Sequence, residues 1–128
     1  MKAFLKIIMI VTLSLTIVLI GGIFYLTHGL NKGKNIELDG IAPAQLKDGV
    51  YNGKYDAGRW SNHLKVIVKN QKISEINIED DVTFVMPSVS DQLFIKVIEA
   101  QDTKVDTISG ATITSKAYLK SIESAINN

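Results

Sequence analysis

Apolar side chains fall along this chain in three regimes. From Ile7 to Leu26 they run on with little interruption, 20 residues without a formal charge. From Asn31 to Lys47 no period is sustained, and Gly33, Gly40 and Pro43 punctuate a segment that reads as a linker. From Asp48 onward the pattern becomes regular. Val50 to Tyr55 alternates loosely, with Tyr51, Gly53 and Tyr55 on one side. His63 to Lys69 alternates clearly, Leu64, Val66 and Val68 facing one way and Lys65, Ile67 and Lys69 the other. Asn70-Gln71 suits a tight turn, because Asn tolerates positive φ. In Lys72 to Glu79, Ile76 and Ile78 keep register while Ile73 falls one place off, which marks a bulge. Three antiparallel strands in a meander are expected.

The period then changes. Asp80-Asp81 to Pro87 reads as a loop, and Ser88 opens a helix with Asp91 three residues on as a partial capping box. Leu93 with Val97 and Phe94 with Ile98 are i,i+4 pairs that carry this helix to about Ala100. Val105 to Ile108 reads as a short strand or an extended connection. A last helix is expected from about Thr114 to Ile126, with Tyr118, Ile122, Ala125 and Ile126 along one side. The predicted fold is a small α+β domain, an antiparallel meander with two helices, preceded by one N-terminal transmembrane helix. Its division is an anchor over 1–30, a linker over 31–47 and a domain over 48–128.

The apolar run is long enough, at 1.5 Å per residue, to cross the roughly 30 Å hydrocarbon layer. Thr12, Ser14 and Thr16 do not break it, since their hydroxyls return to the helix's own carbonyls. A cleaved signal peptide is the competing reading. Its apolar part would normally be about 7–15 residues and end in small residues, whereas Thr27-His28-Gly29-Leu30-Asn31 is a poor cleavage site. Length therefore favours an uncleaved anchor. Lys2 and Lys6 on one side against Lys32 and Lys34 on the other lean toward a cytoplasmic N-terminus and an extracytoplasmic domain.

Charge and composition narrow the chemistry. Net charge is +1, and two of the 14 basic residues precede the apolar run, so the rest is almost neutral. With no basic cluster, a nucleic-acid partner is not expected. The absence of cysteine excludes disulfides, thiolate metal sites and iron–sulfur clusters. His63 has no second ligand at metal-binding spacing, and Glu79-Asp80-Asp81 lacks the spacing of a calcium loop. A solvated turn is the better reading there.

One string stands out. Asp106-Thr107-Ile108-Ser109-Gly110-Ala111-Thr112 precedes Ile113-Thr114-Ser115 and the last helix. An extended piece, a Gly turn and hydroxyl residues at a helix start together offer free N–H groups and a positive dipole end, a ready place for phosphate. Each piece alone is an ordinary turn or cap. A threonine hydroxyl is a poor nucleophile at neutral pH, and no activating base is evident nearby, so self-modification is not expected. The five specified positions together would recur by chance in a chain this size on the order of once in several thousand.

That string resembles the D-x-x-S/T-G-A-T flavinylation motif of the FMN-binding domain family. The family includes the covalently flavinylated components of sodium-translocating NADH:quinone reductases and of the related Rnf complexes. The resemblance covers about 80 residues, from Asp48 to Ile126, and includes Asp48-Gly49-Val50-Tyr51-Asn52-Gly53 and the hairpin Val66 to Ile73. It implies that Thr112 bears FMN through a phosphoester. It further implies that Asp106, Ser109, Gly110, Ala111 and Thr112 are read by a separate flavin transferase using FAD. Ser109, Gly110, Ala111, Thr114 and Ser115 are the candidate cofactor-binding residues beside it. Two stretches depart from the compact family pattern. Asp56-Ala57-Gly58-Arg59-Trp60-Ser61 stands where a Gly-rich stretch is usual, and Asp81 to Pro87 stands where N-E-T-P-G is common.

Trp60 either stacks on the flavin ring or caps the small core. Tyr51 and Tyr55 read as core or rim, Met86 as a candidate border of the flavin, and Lys116 as a surface lysine close enough to offset phosphate charge. The implied function is a membrane-anchored, extracytoplasmic electron-transfer flavoprotein with covalent FMN and no independent substrate turnover. Its partners are the bilayer, the transferase and membrane-bound redox proteins. A cofactor-free anchored accessory module and a reversible FMN binder are the alternatives.

Overall fold

The computed structural model describes residues 1–127. A helix α1 (Lys2–Thr27) is followed by a single-turn α2 (Leu30–Lys34) and a 3-10 turn at Pro43–Gln45. The domain then comprises β1 (Gly49–Tyr55), a 3-10 turn at Gly58–Trp60, β2 (Asn62–Lys69), β3 (Lys72–Asp80), α3 (Pro87–Ala100) and α4 (Thr112–Asn127). The α+β class and the N-terminal apolar helix are those the periodicities predict.

α1 buries no side chain against the rest of the chain, and its mean hydropathy reaches 2.7. It is one helix long and apolar enough to cross a membrane, a property that a signal sequence shares. Thr12 and Thr16 donate to carbonyls one turn back at 2.8–3.0 Å, which satisfies their hydroxyls without water.

The three strands form one antiparallel sheet in the order β1-β2-β3. Strict alternation in β2 buries Leu64, Val66 and Val68 completely. Asn70 and Gln71 both take positive φ, the geometry of a two-residue hairpin turn. The bulge falls where Ile73 predicts it: Ile67 pairs with Glu75 but Val68 pairs with Ile73. The turn that ends α3 supplies hydrogen bonds there. Gln101, itself at positive φ, accepts from the Ile73 amide at 2.7 Å and donates to the Ile73 carbonyl at 3.0 Å.

α3 and α4 cover one face of the sheet. Leu93 and Val97 from α3 meet Tyr118, Leu119 and Ile122 from α4 over Leu64, Val66, Ile73 and Ile76. Phe94 and Tyr118 contact edge to face with centroids 5.6 Å apart. The Tyr118 hydroxyl donates to Asp81 Oδ1, and burial together with that bond raises its pKa above the ordinary tyrosine value.

Two local expectations, the cap of α3 and the start of α4, are corrected. The Ser88/Asp91 capping box does not form: Pro87 occupies the first turn of α3, where its missing N–H is no loss, and the Met86 cap uses no side chain. Of the two readings of Val105 to Ile108, the connection holds: among the described residues it pairs with no strand. α4 starts at Thr112, not Thr114, because the apolar period becomes visible only further along the helix.

The segment predicted as a linker is laid against the domain. Ile36 is buried with Tyr55, Ala57, Trp60 and Ala117, while Leu38, Ile41 and Leu46 pack on the main core. A carboxylate missed in the sequence fastens it. Glu123 is 2% exposed and accepts from the Gly40 amide at 2.8 Å, Thr103 Oγ1 at 2.6 Å and Lys120 Nζ at 2.9 Å. Asp102 holds the same loop. Its burial pushes the carboxyl up, but donation from the Ile41, Lys104 and Thr103 amides outweighs that and leaves it below the usual carboxylate range. Replacing Glu123 with alanine would strand the fully buried Thr103 hydroxyl and the Gly40 amide. A loss of about 2–4 kcal/mol is expected in denaturant titration. A loss under about 1 kcal/mol, the size of one ordinary hydrogen bond, would show that the carboxylate does not fasten the segment.

Candidate functional site

The string that precedes α4 forms a turn and a helix start. The Ala111 amide bonds the Ile108 carbonyl at 3.0 Å, and Gly110 takes φ +79° to close that turn. The first bond of α4 runs from the Ser115 amide to the Ala111 carbonyl at 2.8 Å. Among the described residues, the amides of Thr112, Ile113 and Thr114 therefore have no backbone partner, as expected of a helix N-terminus. Ser115 is fully buried, and its Oγ accepts from the Ile108 amide at 3.1 Å, so it ties the turn to the helix. Its role here is structural.

Thr112 is exposed at the first position of α4, and Thr114 is half-buried two residues on. Nothing lies within 4 Å of the place a Cβ would take on Gly110. The shoulder beside the Thr112 hydroxyl is therefore open. Asp106 and Ser109 are also exposed, whereas Ala111 is buried. Asp106 opens onto a different concavity, lined by Lys96, Glu99, Lys104 and Val105.

Thr112 stands at a cleft of about 390 Å³ whose walls are Arg59, Trp60, Gly110, Ala111, Thr112, Ile113 and Thr114. The fold thus brings Trp60 to the string, though 52 residues separate it from Thr112 in the chain. Trp60 is only 6% exposed and belongs to the small core around Ile36 and Ala117. The Arg59 guanidinium lies 4.2 Å from its ring centroid and 5.2 Å from that of Phe84. The indole is therefore nearly covered where it reaches the cleft, with the guanidinium over its ring. Met86 does not line this cleft, and Lys116 Nζ is turned to the Ile36 carbonyl at 3.4 Å. No Asp, Glu or His stands among the cleft-lining residues, so nothing there would deprotonate Thr112.

His63 Nδ1 lies 3.9 Å from Glu79, which also pairs with Lys65. Among the described residues no group of three His, Asp or Glu could hold a metal ion.

The FMN-binding domain family model matches residues 6–127, nearly the whole chain. The chain belongs to the FMN-binding domain family. An uncharacterized protein of Treponema pallidum (strain Nichols) is 29% identical over 85 residues, which is 64% of this chain and 23% of that protein. The chain thus spans about a quarter of that relative's length.

As a member of that family the protein is a flavin-binding protein. The cleft fits such a group: residues with an exposed hydroxyl and free helix amides line it together with Trp60. A buried Arg59 Nε with no hydrogen-bond acceptor adds an unmet donor. Sequence reasoning missed Arg59, whose only signal was its place beside Trp60 in a stretch that departs from the family pattern.

Proposed function

We propose that the protein is a membrane-anchored electron carrier whose FMN is joined by a phosphoester to Thr112. The observation that carries this reading is the exposure of Thr112 on an open shoulder, in the string Asp106 to Thr112, within a member of the FMN-binding domain family. Attachment by a transferase using FAD balances simply. The bond from Thr112 Oγ1 to the flavin-side phosphorus forms, the pyrophosphate bond breaks, AMP leaves, and the hydroxyl proton passes to a base of the transferase. The base must come from outside, because the cleft holds none.

Bound there, FMN supplies the redox chemistry; the protein holds it and sets its exposure. Thr112 would fix one end, the free amides of Thr112, Ile113 and Thr114 would be available to hold the phosphate, and Trp60 walls the cleft. With no general base in the cleft, turnover of a substrate of its own is not proposed. Residues 1–30 serve as the anchor with the N-terminus cytoplasmic, 31–47 connect, and 48–128 hold the flavin outside the cytoplasm. A tether suits that compartment, where a lost cofactor could not be recaptured. Its redox partners are then membrane-bound.

Co-expression with a flavin transferase tests the attachment. The intact mass should rise by FMN less water, and the band should fluoresce in a denaturing gel. A fluorescence lost on denaturation would mean reversible binding, and a colourless protein would mean a cofactor-free accessory module. Either result overturns the covalent reading.

A further inference from the structure

We propose that Arg59 is the cation that receives the FMN phosphate, an inference that rests on the flavin reading above. A guanidinium in a folded domain is normally met by a carboxylate or by carbonyls. Among the described residues Arg59 has neither: its guanidinium meets the Trp60 and Phe84 rings. Its Nε is shut off from solvent and has no acceptor. An N–H buried in this way is destabilising unless a ligand supplies the missing acceptor.

The geometry also restricts where that ligand lies. Contact with Trp60 at 4.2 Å and with Phe84 at 5.2 Å holds the guanidinium in place and so limits where its fork of donors can reach. That fork matches the spacing of two phosphate oxygens. Arg59 and Thr112 line the same cleft, and an ester on Thr112 places the phosphate at the Thr112 wall. The other nearby cations are engaged elsewhere. Lys116 turns to the Ile36 carbonyl, Lys120 binds Asp39 and Glu123, and Lys32 reaches the Asp56 carbonyl. Arg59 is the one cationic side chain among the cleft-lining residues.

The test uses the full chain in detergent, produced without a transferase so that Thr112 is unmodified. Trp60 is the sole tryptophan, and its emission reports flavin binding directly. Wild type should bind FMN about tenfold more tightly than riboflavin, which differs only in lacking the phosphate. Inorganic phosphate should displace FMN and leave riboflavin in place, a result that needs no variant. R59Q should bring the two flavins level, and R59K should recover part of the difference. A preference for FMN that survives in R59Q, an equal loss for both flavins, or no binding of either would overturn the proposal. A chain that gains the flavin mass on co-expression yet shows no such preference would keep its function and lose this role for Arg59.

Discussion

Replacing Thr112 with alanine is expected to abolish covalent flavin altogether, leaving the intact mass unshifted and the gel band dark after co-expression with a transferase. The change removes the oxygen that forms the ester, so the effect is complete and not graded. Little else should alter. Thr112 is exposed at the first turn of α4, and the bonds that hold the turn use the Ala111 amide and carbonyl and Ser115 Oγ. Alanine is also a good helix former. The variant should therefore melt within about 1 kcal/mol of wild type, as surface substitutions usually do. Thr114→Ala provides the contrast: it removes the neighbouring half-buried hydroxyl and should leave flavinylation intact. Flavin retained by Thr112→Ala and lost by Thr114→Ala would move the attachment site two residues along.

A loss of stability as large as that of Glu123→Ala is expected from Gly53→Ala. α4 crosses β1 with backbone against backbone, and a Cβ on Gly53 would fall 2.0 Å from the Ser121 carbonyl oxygen and 3.0 Å from Ala125 Cβ. A carbonyl inside a helix has no rotamer with which to yield. Either the helix lifts from the strand or β1 bends away. Lifting would also disturb the buried bond from Ser121 Oγ to Asn62 Oδ1, 2.6 Å long. A cost of about 3 kcal/mol, at the upper end of overpacking, is expected. For a domain of this size that lowers Tm by roughly 12 to 24 °C. Gly110→Ala is the control, since Gly110 has open space and positive φ. Its cost should be only the backbone strain, about 1–2 kcal/mol. Equal melting temperatures for the two variants would show that the crossing is not tight.

What could be read beforehand follows from where regular periods exist. β2 alternates because one face is wholly covered, and the misplaced Ile73 marked the bulge. α3 and α4 were visible as i,i+4 pairs, but their starts were not. Pro87 opens α3 by its fixed φ, and Gly110 with Ala111 opens α4 without a capping side chain. The connecting segment escaped detection because Ile36, Leu38, Ile41 and Leu46 pack one at a time from an irregular backbone. Nothing in the local sequence singled out Glu123, since its partner Gly40 lies 83 positions away. In the site, Thr112 was legible as part of a contiguous string. Arg59 was not, because only the fold sets its guanidinium over Trp60 and brings it to the cleft that Thr112 lines.

The end of α1 meets the domain with main chain close against main chain. A Cβ on Gly29 would fall 2.4 Å from the Ala57 carbonyl, and one on Gly58 would fall 2.3 Å from that of His28. Arg59 follows directly, and Ile113 packs on Gly33. An anchored carrier mounted in this way does not sweep a volume like a ball on a string. On the function proposed above, its cofactor would ride at one height above the bilayer. Encounter then becomes a search in two dimensions, paced by lateral diffusion, and only partners whose redox group stands at that same height can take part.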